Sequence, residues 1–215
     1  MAVELPLFPL ETVLFPHMPL GLHVFEDRYK QMLQDCRASG TSFGVVAIRE
    51  GLEVGREAIP YGVGTLAQIR DAERLPDGRW ALLVVGASRF RIQSLLRDRP
   101  YLRGRISYLE DGAASRDDAE SRARSLRAAF ARYAASLRGH GYEARDEGVP
   151  PEEPELLSYI VAASLRVERA ERQALLEMNM TEERLRGCLS VLRREHGFLD
   201  RNLATKERAG AVSLN

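Results

Sequence analysis

Lysine is almost missing from this chain. Of its 31 basic residues only Lys30 and Lys206 are lysines, and neither stands in the G-x-x-x-x-G-K-[ST] order of a phosphate-binding P-loop. That route to ATP hydrolysis is excluded. A Ser-Lys hydrolytic dyad would have to use a lysine on an amphipathic helix or one in a polar tail, and neither offers a desolvated setting that depresses its pKa. Cysteine is equally scarce: Cys36 and Cys188 lie far apart, lack a C-x-x-C companion, and each sits in a helical pattern where a small buried thiol is the ordinary role. No disulfide framework follows. The nucleophile-elbow pattern G-x-S-x-G is absent, since GASRF (86–90) lacks the second glycine. His17 and His23 do not have metalloprotease spacing, His196 falls in an apolar helical stripe, and YGVGTLAQI lacks the glycine order of a dinucleotide site. The chain is expected not to be an enzyme, with no catalytic residue, no metal and no cofactor.

A net charge is lacking too. Basic and acidic residues number 31 each and the isoelectric point is about 6.9, so no overall field draws the molecule to nucleic acid or to anionic lipid. Long apolar runs are likewise broken. The greasiest stretch, LPLFPLETVLFPHMPLGLHVFEDRY (5–29), carries Pro6, Pro9, Pro16 and Pro19 and has no Lys or Arg before Arg28. It fits neither a secretory signal nor a membrane helix. It is expected to fold into the protein, and the compartment to be the cytoplasm.

What is present divides by period. Residues 26–39 place Tyr29, Met32, Leu33 and Cys36 on one helical face, with Gly40 to end the helix. Around it, LPLF, TVLF and LGLHV, then 42–50, 61–75, 79–96 and 101–111, read as strands rich in Val, Ile and aromatics. Pro76-Asp77-Gly78 between two of them is a hairpin turn. The prolines let the first strands turn corners without long pairing edges. Near residue 111 the period becomes helical. Helices are expected over 121–141 (Leu126, Phe130, Tyr133 and Leu137 inside), over 155–165, through ERAERQALLEMN, and from a Thr181 cap along Leu185, Cys188, Leu189, Leu192, His196, Leu199 and Leu203. The expected fold class is α+β, with a β-rich subdomain over 1–111, a linker over 112–120, a helical subdomain over 121–205 ending in a long helix, and a polar tail over 206–215.

The stretch 5–29, together with VGTLAQI (63–69), LPDGRWALLVVGASRFRI (75–92), YLRGRISYLED (101–111) and the helical run from LLSYIVAASL to RRE, resembles the N-terminal substrate-binding domain of the Lon protease family. The resemblance implies a PUA-like pseudo-barrel with one helix, followed by a helical bundle. In full-length Lon that domain helps to recognise unfolded or tagged proteins, while separate ATPase and Ser-Lys protease domains follow. Gly21 stands where the family usually has proline, and Val85 where an acidic residue often precedes the glycine.

The function expected is a non-catalytic protein- and peptide-binding module for unfolded or partly folded polypeptides, with a separate ATP-dependent protease as a further candidate partner and no membrane. The oligomeric state is left open. Phe15, Met18, His23, Phe25 and Phe90, at or beside proline and glycine bends, are the expected peptide contacts. A groove between barrel and helices is favoured over a strand edge. Glu26, Arg28 and Arg89 are expected to be structural ion pairs locking the first helix to the barrel. An RNA-binding PUA-like module is the alternative, with Arg89, Arg91, Arg103 and Arg105 as a basic strip, although the charge balance makes nucleic acid the weaker partner.

Overall fold

The computed structural model describes residues 3–53, 58–112, 116–139 and 150–212, with the backbone alone at 116 and 198–212. Among these described residues it contains six strands, β1 (Val3–Leu10), β2 (Pro19–Val24), β3 (Phe43–Glu50), β4 (Ile59–Arg74), β5 (Trp80–Leu96) and β6 (Arg103–Tyr108). Five helices complete it: α1 (Asp27–Ser39), α2 (Arg116–Gly139), α3 (Pro154–Ser164), α4 (Arg169–Glu177) and α5 (Thr181–Val212). The class is α+β, as the change of period predicts. Two compact units divide the chain: Met1–Asp111 with Ala162–Asn179, and Gly112–Val161 with Met180–Asn215. The segment 162–179, helical in period like its neighbours, thus belongs with the strands.

In the first unit the sheet order is β2-β5-β4-β3-β1-β6, and β6 also pairs with β5. Five strands therefore close into a ring, which removes most free edges, and β2 extends β5. β1 runs parallel to β3, with Leu7 opposite Gly44, and antiparallel to β6, with Leu5 opposite Gly104. Phe43, Val45, Val84 and Leu22 fill one cluster beneath α1, and Leu5, Leu7, Phe90 and Ile106 fill a second. The four residues expected on the inner face of α1 are its buried ones. Tyr29 stacks on Phe8 at 4.2 Å, and Gly40 ends the helix in the left-handed region at φ 64°. The β4–β5 hairpin turns at Pro76-Asp77-Gly78, where Gly78 has φ 81° and the Leu75 amide donates to the Arg79 carbonyl at 2.8 Å.

TVLF (12–15) is not a strand. Val13, Leu14 and Phe15 are buried without ladder pairing, because their carbonyls bond elsewhere: Leu14 accepts from the Thr65 hydroxyl at 2.6 Å and Phe15 from the Met18 amide at 3.2 Å. This loop lies tight on β5, where the His17 amide donates to the Gly86 carbonyl at 2.8 Å and the Gly86 amide to the Met18 carbonyl at 3.0 Å. A Cβ at Gly86 would overlap the Phe15 carbonyl oxygen, so the glycine there is a steric requirement.

The second unit packs α2 against α5, burying Leu126, Phe130 and Tyr133 on one and Leu185, Cys188 and Leu192 on the other. The first eight residues of α3 also belong to it. Its interior holds a cation: Arg184 is fully buried, its guanidinium lies 3.8 Å from the Tyr159 ring centroid, and its Nε donates to the Ser158 hydroxyl at 2.8 Å. Three boundaries differ from the expected ones. α2 begins at Arg116, inside the expected linker, with Asp117 and Asp118 in its positive first turn. Thr181 is the first residue of α5 rather than its cap, and α5 continues past 205 to Val212. Positions 140–149 and 213–215, and the side chains of Leu199 and Leu203, lie outside the described residues.

Candidate functional site

Within the first unit an apolar groove of about 230 Å³ opens between α1 and the β4–β5 hairpin. Its helical wall is Leu33, Gln34 and Arg37; its sheet wall is Ile69 and Ala72 from β4 with Trp80 and Leu82 from β5. Leu33 and Arg37 reach the groove together because residues four apart share a helix face. Ile69 and Ala72, three apart, would point to opposite faces of a regular strand. A register shift between Ile69 and Asp71 rotates the strand, so that Ile69 stands opposite Val84 and Ala72 opposite Leu82 on one face. Trp80, the only tryptophan of the chain, lies between Val24 of β2 and Arg74 of β4. The Arg37 guanidinium sits 5.3 Å from its ring centroid, a cation–π contact that also places positive charge in the last turn of α1.

The residues expected to contact peptide do not assemble into this groove. Phe15 and Phe90 are core, both 0% exposed, which corrects their expected role: Phe15 is sealed by the loop lying on Gly86, and Phe90 fills the space left by Gly44 and Gly64. Met18 is half-buried and packs against the cluster beneath α1. His23 is exposed on the outer face of β2, opposite Ala81, and Phe25, just past the strand, is 48% exposed. Leu83, 44% exposed, shares that outer face, opposite Gly21.

The three charged residues separate as well. Glu26 and Arg28 pair with each other at 2.9 Å, and the Arg28 guanidinium lies over the Tyr29 ring at 4.6 Å. Arg89 bonds elsewhere. At 1% exposure it donates through Nη1 to the carbonyls of Leu176 (2.7 Å) and Met178 (2.8 Å), and its Nη2 lies 3.2 Å from the Asp111 carboxylate. It thereby caps the end of α4, not α1. Two members of the expected basic strip are also neutralised: Arg103 pairs with Glu4 and Asp98, both at 2.7 Å, and Arg105 with Glu4 at 3.3 Å.

Both thiols are buried. Burial pushes Cys188 up to about 12 and raises Cys36 as well, which disfavours the thiolate. Burial also pushes Tyr29 and Tyr101 up to about 12, Tyr101 with help from the hydrogen bond it donates to Asp35 at 2.6 Å. Among the described residues no group of His, Cys, Asp and Glu is placed to hold a metal ion, and no helix is long and apolar enough to cross a membrane. A wider hollow of about 800 Å³ in the second unit is lined by both signs of charge, including Arg124, Arg127, Glu152 and Glu155. Its lining mixes apolar area with these charges and includes no aromatic side chain.

A family model described as the ATP-dependent protease La (LON) substrate-binding domain matches residues 4–194. The chain is similar to the Lon protease of Brevibacillus choshinensis, 29% identical over 201 residues that cover 92% of this chain and 26% of that protein. It is similar to the Lon protease of Escherichia coli K12 at 27% over 209 residues, with coverage of 92% and 25%. The chain thus spans about a quarter of the length of these curated relatives. Among solved structures it is similar to the Lon N-terminal domain protein from Xanthomonas campestris, with 28% identity, a TM-score of 0.64 and coverage of 87% of this chain and 98% of that one. The N-terminal domain of the Mycobacterium avium complex Lon protease shares the fold, with a TM-score of 0.68 at 17% identity over 89% and 98% of the two chains.

Proposed function

Because the chain belongs to the ATP-dependent protease La (LON) substrate-binding domain family, we propose that it is a non-catalytic, cytoplasmic module that binds apolar stretches of unfolded or partly folded polypeptides and presents them to a separate ATP-dependent protease. The observation that supports this reading is the groove between α1 and β4–β5, an apolar concavity with one aromatic wall and two polar rim residues. Concave, largely apolar sites with a few placed polar groups are where ligands bind in general. The open edge of β2 is the weaker alternative, because the strand begins at Pro19, which has no amide to give to an added strand. An RNA surface is the weaker reading, because in the expected arginine strip Arg103 and Arg105 already pair with Glu4 and Asp98 and Arg89 is buried.

Ala72 sits on the groove floor and Leu83 on the opposite face of the same hairpin. Ala72→Glu is expected to weaken binding of a permanently unfolded protein, reduced and carboxymethylated α-lactalbumin, by at least about tenfold, the equivalent of one lost apolar contact. Leu83→Glu is expected to leave binding within about twofold, in line with a surface substitution away from the site. Fluorescence anisotropy of the labelled client reads both. Loss of binding in the Leu83 variant with retention in the Ala72 variant would move the site to the outer face of β2 and β5.

A further inference from the structure

The groove is not neutral at its Trp80 end. Arg37 lies over the indole, and Arg74 stands directly opposite Trp80 in the β4–β5 ladder, where opposed residues project from the same face. The acids of that hairpin face away: Asp71 stands opposite Leu83 and Glu73 opposite Ala81, all on the outer side. Lys30 of α1 and Arg79 of the turn are already paired, with Asp27 and Asp77. Among the described residues neither Arg37 nor Arg74 enters an ion pair. A chain with zero formal charge therefore places one guanidinium, that of Arg37, in the lining of an apolar cavity and a second arginine, Arg74, beside Trp80 on the same face of the hairpin, a combination complementary to an apolar group that carries its own anion.

The size of the cavity narrows the choice of anion. A volume of about 230 Å³ lies below the roughly 300–1,000 Å³ of pockets that enclose a whole small-molecule ligand, so the groove suits an anchor side chain or two of a peptide that otherwise lies outside it. In an extended peptide, successive side chains face opposite ways, so an acidic residue next to the anchor points away from the cavity. The terminal carboxylate of a chain has no such constraint, since it sits on the Cα of the anchor residue itself. We propose that the groove receives the C-terminal residue of a polypeptide, its apolar side chain against Trp80, Ile69 and Leu33 and its α-carboxylate on Arg37 and Arg74. This inference rests on the groove being the polypeptide site.

The test titrates the intact protein with three synthetic peptides and reads Trp80 fluorescence: acetyl-Gly-Ser-Gly-Ser-Leu as the free acid, the same peptide as the C-terminal amide, and an amidated peptide in which an aspartate follows the leucine. The free acid is expected to bind on the order of tenfold tighter than the amide, as a charge-assisted contact predicts, with a preference that shrinks at high salt. The preference should vanish in an Arg37→Gln, Arg74→Gln double variant, whose replaced side chains are exposed. Equal binding of acid and amide overturns the inference while leaving the groove as the polypeptide site. Binding of the aspartate peptide as tightly as the free acid overturns the C-terminal assignment in favour of side-chain acids. If neither the peptides nor unfolded α-lactalbumin with its own tryptophans replaced by phenylalanine perturbs Trp80, the groove reading itself fails.

Discussion

Replacing Arg89 with Ala is expected to lower the unfolding free energy by about 3–5 kcal/mol, the usual cost of removing one partner from a buried, hydrogen-bonded charge. The last carbonyls of a helix have no intrahelical donor. α4 has no basic residue in its last turn and ends at Met178 in an extended conformation, without a left-handed glycine cap. Arg89 supplies what is missing, donating to the carbonyls of Leu176 and Met178 while the Asp111 carboxylate, 12% exposed, lies 3.2 Å from its other nitrogen. Alanine leaves two carbonyls and a mostly buried carboxylate without this donor. Arg89→Lys should recover only part of the loss, because one ammonium cannot span the geometry of a guanidinium fork. Urea unfolding measures the difference, and native-state hydrogen exchange should show amides of α4 opening first. A change below about 1 kcal/mol, the range of an ordinary exposed ion pair, would contradict the assignment.

Phe15→Asp is expected to abolish cooperative folding, whereas Phe25→Asp should change stability by no more than about 0.5 kcal/mol, as surface substitutions do. Truncating a buried phenylalanine costs about 3–5 kcal/mol before any charge is buried, and a total stability of about 5–15 kcal/mol does not absorb that together with an unpaired carboxylate. Phe15 is 0% exposed and Phe25 is 48% exposed, although they stand ten positions apart in one proline-broken stretch. Circular dichroism melting curves of the two single variants decide the matter. Cooperative melting of Phe15→Asp near the parent temperature would show that the loop above Gly86 is open to solvent, contrary to the packing described.

These two phenylalanines show where sequence reading stops. The face of α1 was legible because Tyr29, Met32, Leu33 and Cys36 repeat at helical spacing, and the β4–β5 turn because Pro76, Asp77 and Gly78 carry their own backbone preferences. Between Leu10 and Pro19 there is neither helical nor strand period, and burial there is decided by the close approach of Phe15 to Gly86, a partner distant in the chain. Arg89 is a similar case. Within the run RFRI, Arg89 and Arg91 look alike, yet one is sealed against α4 and the other is exposed, because only the first meets the helix end. The family and its fold class were readable from several motifs in order. The groove was not, because it depends on a bulge in β4 that brings Ile69 and Ala72 onto one face, and no local signal announces an extra residue in a ladder. What the sequence does carry is the lone tryptophan directly after the turn, a large side chain on a hairpin otherwise edged with charge.

That tryptophan also makes the central claim measurable. Adding reduced and carboxymethylated α-lactalbumin with its own tryptophans replaced by phenylalanine should shift and saturate the Trp80 emission of the native protein, with the same midpoint as binding followed by anisotropy on the labelled client. Binding that saturates by anisotropy while Trp80 emission stays unchanged would place the client elsewhere and contradict the account.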